Sequence, residues 1–142
     1  MGRLSLKDIK KSIIDKLKIF DVKIYADEVK EGFNTPCFFV NIEKFENSLE
    51  NSNFTKRYLD IYIRYIHENI SDIHKLEIIE KLEELFLRTI KVKDRIFTIH
   101  NKAFMKNKAD YIELNFGIEY YEIIEDEEEI NSEKMNNFEL DL

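Results

Sequence analysis

The sequence is poor in the residues that build phosphate-binding loops, disulfide frameworks and membrane spans. Its 142 residues include three glycines, one proline, one cysteine and no tryptophan. So few glycines leave no glycine-rich loop to cradle a phosphate, and neither GxGxxG nor GxxxxGK[ST] occurs. No apolar run approaches the roughly 18 residues of a membrane span. The charged start, MGRLSLKDIKKSIIDKL, has no signal-peptide core. We therefore expect a soluble protein made in the cytoplasm, without a disulfide.

The excess negative charge is confined to one end of the chain. There are 22 basic and 29 acidic residues, and eight of the acids but only one base lie in residues 125–142. Residues 1–124 therefore hold 21 residues of each sign and are neutral. A neutral body does not attract nucleic acid, and the acidic end repels phosphates. We expect one domain over residues 1–124, a flexible acidic tail at 125–142 and no specific nucleic-acid binding.

Apolar spacing predicts two helices. Between Leu6 and Phe20 apolar residues recur every three or four positions, and Ser5 and Asp8 are spaced as a capping pair. A second helix is predicted to begin after Ser71. Its apolar stripe is predicted to run through Ile73, Leu76, Ile79, Leu82, Leu85 or Phe86, and Ile90.

Compact or alternating apolar runs predict five strands. They lie at residues 22–25, 37–42, 57–67, 95–100 and 111–124. Two polar stretches, residues 43–56 and 101–108, are predicted to be loops. The resulting order is α-β-β-β-α-β-β, with no repeated βαβ unit. This order favours an α+β fold with an antiparallel or mixed sheet and both helices packed on one face.

The predicted sheet has an aromatic face turned away from the helices. Alternation along residues 57–67 and 111–124 directs aliphatic side chains to one side and tyrosines to the other. The tyrosines of the second side are Tyr58, Tyr62, Tyr111 and Tyr121. An aromatic face that no helix covers is where a subunit contact is expected.

The sequence contains no motif that is typical of an enzyme. There is no CxxC, no HExxH and no histidine pair at i, i+4, so a zinc site has no support. Cys37 lies in an apolar run and is predicted to be an inert buried thiol. The three histidines, His67, His74 and His100, are predicted to lie at the surface or in turns.

The acidic pair Asp27 and Glu28 is the best candidate for a metal or acid–base site. Adjacent residues of an extended chain point in opposite directions, so both cannot chelate one ion without a turn. A solvated loop is the favoured interpretation. A metal-dependent hydrolase that uses these carboxylates and a histidine such as His67 remains a less favoured alternative, and no cofactor is predicted.

Residues 24–40, IYADEVKEGFNTPCFFV, carry a family resemblance. They resemble the IY-x-DEV-x-x-GF-x-x-PCFFV stretch of small phage tail terminator proteins from phages, prophages and phage-tail-like bacteriocins of low-GC Gram-positive bacteria. Residues 57–63, RYLDIYI, and 108–116, KADYIELNF, resemble the later motifs of the same family. The resemblance extends over about residues 5–124.

The resemblance implies a structural role in the virion tail, in a particle assembled in the bacterial cytoplasm. It implies a ring, hexameric in similar terminators, that caps the head-proximal end of the tail tube, stops tube polymerisation and joins tail to neck. The partners would be further copies, the tail tube protein, a neck or head–tail connector protein and, in contractile particles, the sheath. No reaction and no membrane are involved. A neck or head–tail connector protein remains open as an alternative, because both classes are small ring formers.

Within the first motif, Gly32 is predicted to allow a positive-φ turn. Cys37, Phe39 and Ile42 are predicted to fill the core. Phe33 is expected to be a core anchor or, less favoured, a plug between subunits.

Two further groups are predicted to contact partners. Asp27 and Glu28 would pair with basic side chains of a neighbouring subunit. The lysines of the predicted loop at 101–108, which are Lys102, Lys106 and Lys108, would contact the tube or neck.

Overall fold

The computed structural model describes residues 5–26, 32–49, 53–86 and 88–123. In these ranges the chain forms two α-helices, a 3₁₀ turn and six strands. They are α1 (Leu6–Leu17), the turn Lys18–Phe20, β1 (Lys23–Tyr25), β2 (Cys37–Leu49), β3 (Phe54–Ile66), α2 (Asp72–Phe86), β4 (Thr89–Val92), β5 (Arg95–Asn107) and β6 (Tyr111–Ile123). The predicted α+β class is confirmed.

The described strands form one sheet in the order β1-β2-β3-β6-β5-β4. β1 pairs in parallel with β2, and every other neighbouring pair is antiparallel, so the sheet is mixed. The element order matches the prediction except for one extra strand. This strand is β4, and it contains Ile90, which the sequence pattern assigned to the second helix.

Both helices pack on the same face of the sheet, as predicted. α1 buries Ile9, Ile13 and Leu17, and all three belong to the same core cluster as the inward residues of β3 and β6. α2 joins that cluster through Phe86, whose ring stacks on Phe116 with centroids 5.4 Å apart. The opposite face of the sheet is hereafter called the outer face.

Both helices begin directly after the serines that the sequence predicts as their N-caps. The Ser5 hydroxyl accepts the main-chain N–H of Asp8 at 3.1 Å, and the Asp8 carboxylate accepts the N–H of Ser5 at 3.4 Å. At the second helix, the Ser71 hydroxyl accepts the N–H of His74 at 3.1 Å. These bonds satisfy main-chain donors that have no partner inside the first turn.

The buried stripe of α2 differs from the predicted one. Ile78, Leu82 and Phe86 are buried, whereas Ile73 and Leu76 are 71% and 54% exposed. The prediction was wrong at these two positions because several i, i+3 and i, i+4 stripes are possible in a helix this rich in Ile and Leu. Only packing against the sheet decides between them.

Both predicted loops are largely strand. β2 continues to Leu49 and β3 begins at Phe54, so residues 43–49 and 54–56 belong to two paired strands. β5 likewise continues to Asn107. Each extension follows a register shift, near Ile42 in β2 and between His100 and Phe104 in β5. The prediction failed because neither stretch shows the apolar alternation of a half-buried strand, so its composition resembles a loop.

Candidate functional site on the outer sheet face

Alternate residues of β3 and β6 project from the outer face, because side chains of a strand point to opposite sides with a period of two. The pairing register sets them opposite one another across the two strands. The outer-face pairs are Tyr58 with Glu119, Asp60 with Gly117, Tyr62 with Asn115, Arg64 with Glu113 and Ile66 with Tyr111. The face is therefore a ladder of aromatic and polar side chains rather than an apolar sheet.

A buried carboxylate lies near one end of this ladder. Glu113 is 5% exposed, and its Oε1 accepts bonds from Arg64 Nη2 at 2.7 Å and Arg64 Nε at 3.2 Å. Lys106 Nζ lies 3.7 Å from the other carboxylate oxygen. The guanidinium also lies over the Tyr111 ring, 4.9 Å from its centroid. Paired cations of this kind offset the cost of burying the Glu113 charge.

A cleft of about 220 Å³ opens beside this cluster on the outer face. It is lined by Phe33, Phe39, Asn41, Glu43, Tyr62, Arg64, Ile66 and Glu113. The lining thus combines aromatic rings and an arginine, residue types that are enriched at protein–protein contacts, with two glutamates.

The segment after Gly32 is held against this cleft. Gly32 has φ +77°, as predicted, a region that glycine occupies without strain. Phe33 then packs edge-on against Phe39, with ring centroids 5.5 Å apart, and Tyr25 stacks on the same ring at 5.2 Å. The Tyr25 hydroxyl accepts the N–H of Asn34 at 3.1 Å. These contacts hold Phe33 and Phe39, which line one side of the cleft, near the edge of the sheet that β1 forms.

In the middle of the face the Tyr58 side chain lies across Gly117. A methyl group built on Gly117 would lie 2.5 Å from the Tyr58 hydroxyl oxygen and 2.8 Å from the ring carbon that carries it. The same hydroxyl donates to the Asp60 carboxylate at 3.5 Å. The absence of a side chain at 117 thus allows the tyrosine to lie flat on the sheet.

The far end of the face is apolar and exposed. Tyr121 is 53% exposed and Ile96 67% exposed, and both lie near the end of β6, where the Arg95 guanidinium donates to the Tyr121 carbonyl at 3.2 Å. Lys56 pairs with Glu119 at 2.9 Å and lies over the Tyr121 ring at 5.9 Å. No helix covers these residues within the described part of the chain.

A comparison with protein families decides what kind of protein carries this surface. The family model described as "Phage tail terminator protein" matches residues 8–130. The chain belongs to the phage tail terminator family. The match begins in α1, covers both helices and every strand of the sheet, and ends seven residues beyond β6. No curated protein matches the chain.

The tail terminator family is a structural one, and the predicted recognition is confirmed. Membership associates the chain with phage tails. Among the described helices, none is long and apolar enough to cross a membrane.

Five of the residues predicted for subunit contacts of this terminator lie on the outer face. They are Phe33, Tyr58, Tyr62, Tyr111 and Tyr121. Phe33 and Tyr62 meet at the cleft, whereas Tyr121 lies at the opposite end. Their contact role stays a prediction. Asp27 and Glu28 lie outside the described residues.

The predicted tube or neck contacts lie at one edge of the sheet. Lys106 is on β5 beside Glu113, and Lys108 is exposed at the β5–β6 turn, where its N–H donates to the Tyr111 carbonyl at 2.8 Å. The side chain of Lys102 lies outside those that the structure describes.

The core predictions for the first motif are confirmed for burial but were wrong about the face of the sheet. Phe38 and Val40 belong to the core cluster, whereas Cys37 and Phe39 are buried on the outer face instead. Ile42 packs against the core from its border. The error is one of phase, because a run of consecutive apolar residues does not show which alternate set faces the helices.

Two side chains have surroundings opposite to those predicted. Phe33 is 37% exposed and packs on the outer face rather than in the core. His67 is only 1% exposed, although its sequence position predicts a surface histidine. Its main-chain N–H donates to the Asp110 carbonyl at 3.0 Å, which ties the end of β3 to the β5–β6 turn, and its ring lies 5.9 Å from the Tyr65 ring centroid. His74 is exposed, as predicted, and the side chain of His100 lies outside those described.

The described residues contain no group of three or more His, Cys, Asp or Glu side chains placed to hold a metal ion. Burial raises the pKa of the Cys37 thiol, which agrees with the predicted inert character. Aromatic stacking, ion pairing and shape are what this surface can supply.

Sequence reasoning missed Glu43, Glu113 and Gly117 as outer-face residues. Alternation could have assigned each to this face. Their partners depend on the register between strands that are distant in sequence, and no local pattern encodes that register.

Proposed function

We propose that the protein is the tail terminator of its particle. Copies of the chain would form a ring, hexameric by analogy with similar terminators, on the head-proximal end of the tail tube. The ring would end tube polymerisation and present the surface that joins the tail to the neck. The family match over residues 8–130 is the observation that carries this proposal.

The outer face supports a contact role. It lies opposite the helices, and it combines exposed aromatic side chains with a cleft that contains charged groups. We propose that subunits meet through this face, with Phe33, Tyr58, Tyr62, Tyr111 and Tyr121 in the contact. Asp27 and Glu28 would add ion pairs to basic side chains of the neighbouring copy. The tube protein, a connector protein and, in contractile particles, the sheath would bind other surfaces of the ring, including the one that carries Lys102, Lys106 and Lys108.

The proposed role needs no catalysis, because a cap acts by binding the last tube ring and leaving no site for the next one. Particles made without the protein should therefore carry tails of uncontrolled length that do not join heads. Electron microscopy of such particles measures the length distribution. Supplying the wild-type gene in trans should restore one narrow length. Tails of normal length, joined to heads without the protein, would contradict the proposal.

A matched pair of variants tests the contact face within the same assay. Tyr121→Ser removes a 53% exposed outer-face ring, and Ile19→Ser removes a 54% exposed side chain on the helix-bearing side. We expect Tyr121→Ser to lower the number of length-controlled tails and Ile19→Ser to behave as wild type. Labelled protein found only at the neck, away from the end of the tube, would instead indicate a connector.

A further inference from the structure

A cluster of basic side chains lies on the helix-bearing side of the molecule, where α1 meets the turn between β4 and β5. Lys93 of that turn pairs with Asp8 of α1 at 3.2 Å, which joins the two segments. Lys7 precedes Asp8, Lys11 follows it by about one helical turn, and both lysines are exposed. Arg95 lies two residues beyond Lys93. Lys7, Lys11, Lys93 and Arg95 are hereafter called the basic corner.

The Arg95 side chain connects the basic corner to the end of β6. Its guanidinium lies 5.7 Å from the centroid of the Tyr120 ring, which belongs to the core cluster, so Arg95 is on the same side of the sheet as α1. The guanidinium also donates to the Tyr121 carbonyl at 3.2 Å. β6 ends at Ile123, two residues further on. The last described strand therefore ends beside the basic corner.

The basic corner carries more positive than negative charge. Three of its four cations, Lys7, Lys11 and Arg95, make no ion pair with any described residue. The fourth is the partner of Asp8, and 65% of its side chain stays exposed. The turn adds one further acid, Asp94, which is exposed. A surface with an excess of one sign attracts segments of the opposite sign.

Five consecutive acids follow the end of β6. Residues 125–129 have the sequence EDEEE, and the first of them comes two residues after Ile123. An extended chain spans about 3.3 Å per residue, so the segment from Ile123 to Glu129 reaches up to about 20 Å. The acids therefore begin within reach of Arg95 and extend far enough to cross the turn towards α1.

Other cations near the end of β6 already have carboxylate partners. On β3, Lys56 pairs with Glu119 at 2.9 Å, and Arg57 pairs with the buried Glu122 at 3.0 Å. The basic corner instead offers cations without such partners. Its position and its sign both favour the acidic run as its occupant.

We propose that residues 125–129 dock on the basic corner of the same chain and pair with Lys7, Lys11 and Arg95. The acidic run would neutralise the exposed side of the first turns of α1. An acidic segment of another protein could bind this surface only by displacing the run, so the contact would act as a removable cover. The inference concerns neither the outer face nor the predicted tube or neck contacts, and it does not depend on the proposed ring.

Carboxylate–amine crosslinking tests the contact in the full chain. A water-soluble carbodiimide joins a carboxylate to a lysine when the two are in contact, and peptide mass spectrometry identifies the pair. We expect crosslinks from residues 125–129 to Lys7, Lys11 and Lys93, and few to Lys108, which is exposed at the other end of β6. A mixture of isotope-labelled and unlabelled protein distinguishes a same-chain contact from one between copies. Crosslinks mainly between different chains, or equal crosslinking to Lys108, would contradict the proposal.

Removal of charge from two parts of the acidic tail separates this contact from general attraction. The run variant loses three acids of residues 125–129, and the distal variant loses three acids further along the chain. The run variant is Glu127→Gln, Glu128→Gln and Glu129→Gln, and the distal variant is Glu133→Gln, Glu139→Gln and Asp141→Asn.

The rate at which an amine-acylating reagent modifies each lysine measures the effect of these changes. In the run variant, Lys7 and Lys11 should react about twofold faster or more than in wild type, because a carboxylate beside an amine favours its protonated, unreactive form. The distal variant should react as wild type does. A salt concentration of about 1 M should remove the difference between the proteins. Equal rates in all three proteins at low salt, or an equal increase in both variants, would overturn the proposed contact.

Discussion

At the scale of single residues, the outer face is shaped as much by an absent side chain as by those present. Gly117 lies directly under the Tyr58 ring, which could not lie flat on the sheet if residue 117 had a Cβ. The flat tyrosine in turn brings its hydroxyl near Asp60. The contour of the proposed contact surface therefore depends on one position in β6.

Substituting this glycine should change both stability and surface shape. We expect Gly117→Ala to lower the free energy of unfolding by about 1–3 kcal/mol, because the Tyr58 ring must leave its position. In a Tyr58→Ala background the same substitution should cost almost nothing, since the obstructing ring is gone. Chemical denaturation of the four proteins in this cycle measures both values. An equal penalty in the two backgrounds would show that the ring is not the cause.

We expect His67 to make the stability of the fold depend on pH. Its side chain is 1% exposed, and neither ring nitrogen has a hydrogen-bond partner among the described residues. Burial, followed by the nearby Lys75 charge, lowers the pKa of His67, although Asp110 opposes the shift. The unfolded chain takes up the proton near pH 6.5, whereas the folded chain resists it until lower pH. Its stability should therefore fall as pH drops below about 6.5, by at most about 1.4 kcal/mol per pH unit from this group.

Denaturation at several pH values between 7.5 and 5 tests this dependence. His67→Leu should reduce it, because no ionisable ring then remains at the site. The charge of His74 contributes to the lowered pKa of His67, so His74→Gln should reduce the slope by less than His67→Leu does. Identical slopes in wild type and His67→Leu would assign the pH dependence to other groups.

At the scale of helices and strands, local sequence patterns predict those elements that have one buried and one exposed side. α1, β3 and β6 each have one buried side, and their apolar spacing predicts their ends to within a few residues of the observed ones. The sequences of the second halves of β2 and β5 show no apolar alternation of this kind, so their composition predicts loops instead. Short β4 is missed because its TIKV sequence continues the apolar spacing of α2. A local sequence pattern indicates which residues are buried. It fails where a segment has no apolar pattern of its own, or where two successive elements continue the same apolar spacing.

The capping box of α1 gives an element-scale prediction. Ser5 and Asp8 exchange hydrogen bonds, and Lys93 of the β4–β5 turn pairs with Asp8 at 3.2 Å. The Ser5 hydroxyl bond, followed by the Lys93 contact, lowers the pKa of Asp8. We expect Ser5→Ala to reduce the free energy of unfolding by about 1 kcal/mol. Ser12→Ala, inside the same helix, should change it little or raise it slightly. Equal effects at both positions would contradict the capping role.

At the scale of the whole molecule, sequence alone predicted the family and the aromatic face but not the cleft. The first motif is contiguous, so it is readable along the chain. The cleft joins the segment after Gly32 with β2, β3 and β6. Long-range register determines its lining, which is why Glu43 and Glu113 were identified only once the sheet was assembled.

The buried lone cysteine has a consequence for particles that leave the cell. Cys37 is fully buried between strand partners, and its thiol resists ionisation. Oxidants act on exposed thiolates, so this sulfur should stay reduced in aerated surroundings. Copies in the proposed ring would then not become covalently crosslinked through this thiol, and their contacts with one another would stay reversible.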